Sequence, residues 1–85
     1  MKIALHHIAY KIGIHPTELG QAVRDGELTG ELPDNNPQSK DAWVDILSLR
    51  NYVEWLREKG KMEESRFLKA VRHIDNETRR LKGRA

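Results

Sequence analysis

Two amphipathic segments meet across a short glycine-to-proline break, and that junction constrains this chain more than any other feature. Leu5, Ile8, Ala9 and Ile12 recur at i, i+3, i+4 and i+7, which sets all four on one face of a helix. Gly13 is the natural left-handed exit, and Ile14 just beyond it can fold back onto the same stripe. His15-Pro16 then restarts a helix, because proline is tolerated at the first helical position, where its missing N–H has no partner to lose. In this second helix Leu19, Ala22 and Val23 face inward, Thr17, Glu18, Gln21 and Arg24 face outward, and Gly26 ends it. Glu18 suits the positive N-terminal end.

Size bounds what can be built around that pair. With 85 residues, 38% hydrophobic and 33% charged, the chain supports one modest core under a heavily charged surface, and no deep enzyme cleft is expected. It has no cysteine, so neither a disulfide framework nor a thiolate metal site is available. No run approaches the roughly 18 apolar residues of a membrane span, and the start does not read as a signal peptide, so no membrane partner is expected and the expected location is cytoplasmic. Net charge is only +2, but it is unevenly spread: residues 1–60 hold seven bases against nine acids, and residues 61–85 hold eight bases against four acids. Attraction to a polyanion would concentrate at the C-terminal end.

After Gly26 the helical period disappears. Leu28, Gly30 and Leu32 alternate with polar neighbours, and Ala42, Trp43 and Val44 form a short β-prone run, which predicts a small hairpin. Its tip, "PDNNPQSK", is a loop over residues 33–40 with no helix or strand of its own. Ser48 offers an N-cap oxygen for a third helix, which Leu49, Tyr52, Val53 and Leu56 carry to Gly60. Beyond it, Phe67, Val71, Ile74, Thr78 and Leu81 step by four and three, a heptad seam on a helix over residues 62–81. Such a helix is roughly 30 Å long, more than so small a core is expected to cover, so its stripe is expected to meet a second helix, in an antiparallel pair or a dimer.

Helix, glycine turn, short helix, hairpin, helix is the order of a winged helix-turn-helix. The run "LHHIAYKIGIHPTELGQAVRDGELTGELP", followed after the loop by "AWVDILSLRNYVEWLREKG", resembles the domain shared by phage excisionases and MerR-type regulators, through Gly13-Ile14-His15-Pro16 at the turn and Gly26-Glu27-Leu28 leading into the wing. The fold this implies is mainly α with a small β-hairpin: a winged helix-turn-helix over residues 1–60, then a basic C-terminal helix over residues 61–85 for oligomerisation or partner contact. The function it implies is sequence-specific binding of double-stranded DNA, as an excisionase-like architectural factor or transcriptional regulator, by a homodimer or cooperative oligomer. Thr17, Glu18, Gln21 and Arg24 would meet base edges, with Gln21 suited to adenine, Arg24 to guanine or phosphate, and Glu18 to cytosine. Asn35, Asn36, Gln38 and Lys40 would be wing-tip contacts. The acids around the second helix oppose phosphate; either the C-terminal bases Arg79, Arg80, Lys82 or Arg84 supply the phosphate contacts or a dimer doubles a weak footprint, while a basic end of this kind is most often a solvated one.

A second class of function is also open. The stripe of Phe67, Val71, Ile74 and Leu81 could dock a protein partner, either in an interaction module or in a subunit laid out like a phage small terminase. No enzyme activity, catalytic residue, cofactor or metal is expected. Asp41 and Asp45 flank a predicted strand without a partner nucleophile, and His6 and His7 are adjacent, which points them about 100° apart on a helix with no second ligand at i+4. Tyr52 and at least one of Trp43 and Trp55 are expected in the core.

Overall fold

The computed structural model describes residues 1–83. Four helices surround a small antiparallel sheet: β1 (Lys2–Ala4), α1 (Leu5–Ile12), α2 (Pro16–Arg24), β2 (Gly30–Glu31), β3 (Trp43–Asp45), α3 (Ile46–Glu58) and α4 (Glu64–Lys82). The first two helices follow the expected bounds. Gly13 closes α1 at φ 73°, and the Ile14 N–H donates to the Ala9 carbonyl at 3.1 Å, which turns the buried Ile14 back onto the stripe. His15 caps α2, its Nδ1 accepting the Thr17 N–H at 3.0 Å, and Pro16 follows at the first helical position.

The sheet contains more than the predicted hairpin. β2 pairs with β3 as Gly30 with Val44 and Glu31 with Trp43, and β1 pairs on the other side of β3 as Lys2 with Asp45, Ile3 with Val44 and Ala4 with Trp43. β3 is therefore central, in the order β1-β3-β2. Three residues running directly into a helix carry too little alternation to announce β1, whose partner lies some forty positions away. Between β2 and β3 the chain makes one left-handed turn at Pro33–Asn35, with φ of 54° at Asp34 and 56° at Asn35. Asp and Asn tolerate that region because their short polar side chains hydrogen-bond locally.

α3 begins earlier than expected, and Ser48 is not its cap. The Asp45 carboxylate accepts the Ser48 N–H at 3.0 Å and caps the helix from β3 itself. The Ser48 hydroxyl instead accepts the Thr29 N–H at 2.8 Å, tying the segment after α2 to α3.

The largest correction concerns α4. Its stripe does not await an outside partner. Phe67, Ala70 and Ile74 are buried in one core with Leu5, Ile8, Leu19, Val44, Ile46, Leu49 and Val53, and Val71 and Leu81 pack half-buried against it. α4 lies across α1 and α3. The molecule measures 33 × 31 × 19 Å, so its own footprint is long enough to cover a helix of 19 residues, roughly 28 Å at 1.5 Å per residue. The buried positions Phe67, Ala70, Ile74 and Glu77 step by three, four and three, and the half-buried Val71, Thr78 and Leu81 beside them widen the stripe beyond a two-position seam. Residues 61–83 thus share their core with residues 1–60: Phe67 and Ile74 are buried within the chain, and Val71 and Leu81 pack against that core while staying partly exposed. No helix among the described residues is long and apolar enough to cross a membrane.

Glu77 is the buried charge of this packing, 5% exposed. It accepts from Lys11 Nζ at 3.0 Å and from the Arg80 guanidinium, with His7 Nε2 at 3.6 Å, so it fastens α4 to α1. Burial alone would raise its carboxyl, but the bonds from Arg80 and Lys11 outweigh that and hold it at about 2.

Candidate nucleic-acid interface

The outward face of α2 is uncovered. Thr17, Glu18, Gln21 and Arg24 are all exposed, while Pro16, Leu19 and Ala22 are buried beneath them. This follows from the period: α4 approaches from the side of α1 and α3 and leaves the far side of α2 free.

The loop over residues 33–40 does not project away from the body. It folds down on α2, bringing Pro37 against Gly20. Arg24 locks the loop from the other side: its Nε donates to Asn35 Oδ1 at 2.6 Å and its Nη2 to the Asn35 carbonyl at 2.8 Å. Nη1 reaches Gln21 Oε1 at 3.4 Å, and Gln21 Nε2 donates to Asp25 Oδ1 at 2.9 Å. The structure thus joins Gln21, Arg24 and Asn35 in one polar surface, with Thr17 one turn away. Asn36 has a different occupation, its Oδ1 accepting the Gln38 N–H at 3.0 Å to hold the loop's own bend. Gln38 and Lys40 are exposed on the same loop.

Glu18 stands apart, on the edge of α2 that borders a groove toward α3. Tyr52 on α3 registers the charge of that edge. Burial raises its phenol, and the carboxylates of Glu27, Glu18 and Asp25 raise it further.

The bases beside α2 are not those expected. Arg66, in the first turns of α4, donates from Nη2 to the Gly13 carbonyl at 2.7 Å, and Lys61 shares the groove with Glu18. α4 then runs back along α1, with Glu77 reaching Lys11 and His7, so Arg79, Arg80 and Lys82 are carried away from the turn that leads into α2. Arg80 is paired with Glu77, and Arg84 lies outside the described residues. Nothing local announces Arg66, which meets Gly13 across 53 positions of sequence. Compared with protein-family models, curated proteins and solved structures, the chain matches none of them.

Proposed function

We propose that the chain is a small double-stranded DNA-binding protein of winged helix-turn-helix type, acting in the cytoplasm as an excisionase-like architectural factor or transcriptional regulator. The observation that carries this reading is the bond between Arg24 and Asn35, which makes an exposed helix face and a loop tip a single polar surface. α2 is a nine-residue helix, and a helix about 10–12 Å across with its side chains is of a size to enter a major groove about 12 Å wide. In this reading Thr17, Gln21 and Arg24 meet base edges, and Asn35, Gln38 and Lys40 follow the neighbouring backbone. Glu18 is the outlier, offering at most an acceptor to a cytosine amine. Assembly on adjacent sites would use a surface other than the α4 stripe.

Selection of bound sequences from random duplex DNA tests the reading. An enriched motif of a few base pairs is expected, with log affinity falling as log salt rises because neutralised phosphates release their counterions. A pool that stays random, with affinity flat in salt, removes the proposal.

A further inference from the structure

A trough runs between α2 and α3 as two adjoining hollows of about 610 and 410 Å³, with Glu27, Tyr52 and Trp55 lining both. Tyr52 and Trp55 stack there, ring centroids 6.1 Å apart and planes 22° from parallel, and both stay half-exposed. Ala22, Leu56 and Met62 complete an apolar floor. We propose that this trough docks a short basic segment of a partner protein, one that sets lysine or arginine beside apolar side chains.

Charge decides the occupant. Three carboxylates, Glu18, Asp25 and Glu27, border the trough, and none has a cation within 4.0 Å among the described residues. The two bases on the same border are already engaged, Arg66 on the Gly13 carbonyl and Lys61 with its ammonium 5.0 Å from the Trp55 ring centroid. An incoming cation therefore finds Glu18 and Glu27 with no hydrogen-bond or ion-pair partner among the described residues, Asp25 answered only by the neutral Gln21 amide at 2.9 Å, and a π-face of the kind Lys61 already uses. Duplex DNA finds three like charges instead. An apolar segment without charge would fill the floor and leave the carboxylates unanswered. The inference does not rest on the DNA reading: Glu18 and Gln21 lie on the border the two surfaces share, but Glu27, Tyr52 and Trp55 take no part in the surface of Thr17, Arg24 and Asn35.

The test uses the full chain with ¹⁵N-labelled indoles, where Trp43 on β3 serves as the internal reference for Trp55. The probe is a heptapeptide of alternating lysine and leucine, against the same peptide with glutamate in place of lysine. The basic peptide is expected to move the Trp55 signal saturably and leave Trp43 in place, and the acidic one to move neither. Glu27→Lys, an exposed turn substitution that leaves the core untouched, is expected to weaken the basic peptide about tenfold or more by placing like charges together. The proposal is overturned if Trp55 stays still to millimolar peptide, if both peptides move it alike, or if Glu27→Lys changes nothing. It is equally overturned if Trp55 responds to duplex DNA, or shifts with the protein's own concentration in the absence of peptide, which would give the trough to a second copy.

Discussion

Pro37 occupies the space a side chain at Gly20 would need: a Cβ built on Gly20 would sit 2.5 Å from Pro37 Cβ. The loop can lie on α2 only because that helical position carries no side chain. Helix propensity alone makes Gly→Ala in mid-helix worth about 1 kcal/mol of added stability. Here the overlap opposes it, and Gly20→Ala is expected to lose about 1–3 kcal/mol in urea denaturation, as overpacked sites do. Adding Pro37→Gly should recover most of the loss. A stabilised single variant would mean that the loop moves aside freely.

Arg24 holds the loop and is also the one base on the outward face of α2. Arg24→Ala is expected to weaken specific DNA binding by roughly 1–3 kcal/mol and to lower the salt slope by about 1. Asn35→Ala removes the side-chain acceptor but keeps the backbone carbonyl and the Arg24 charge, so it should weaken binding less and leave the slope unchanged. Two variants with equal slopes would assign Arg24 to holding the loop alone.

Acid should find Glu77 first. Its carboxyl sits lower in the folded chain, at about 2, than the ordinary value of 4.5 it takes on unfolding, so its contribution is complete above pH 4.5 and drains away as pH falls toward 2. Lys11 and Arg80 are partly exposed, so screening reduces that contribution to on the order of 2 kcal/mol. Glu77→Gln should lose that much at neutral pH. The gap between the two proteins should close between pH 4.5 and 2, read from urea midpoints across the range. A constant gap would mean that the bonds to Lys11 and Arg80 do not depend on the charge.

Ile74 separates packing within the chain from assembly. It is fully buried, so Ile74→Ala is expected to cost about 2–5 kcal/mol with no change in molar mass by light scattering. A loss of mass with the fold intact would restore the stripe to an interface.

What the sequence disclosed was what it carried locally. α1, the turn and α2 were legible because Leu5, Ile8, Ala9 and Ile12, then Gly13 and Pro16, state period and punctuation within a dozen residues. The same holds for the outward set Thr17, Glu18, Gln21 and Arg24. β1 was illegible because its only evidence is a partner at residues 43–45, and the Asp45 cap because a serine three residues on offered the same chemistry. α4 misled for a different reason. Its period states a helix, but the breadth of the face that α1 and α3 jointly offer exists only once they are packed. Arg66, Tyr52 and Trp55 came together beside α2 through that same packing.

The middle position of β3 governs how this protein can be made. As a chain leaves the ribosome, α1 and α2 emerge with β1 unpaired and their apolar undersides facing solvent. The missing strand follows only about thirty residues after Ile12, a delay of a few seconds at common synthesis rates. Trp43–Asp45 then arrives as a single latch, closing both neighbouring strands at once and launching α3 from its own end.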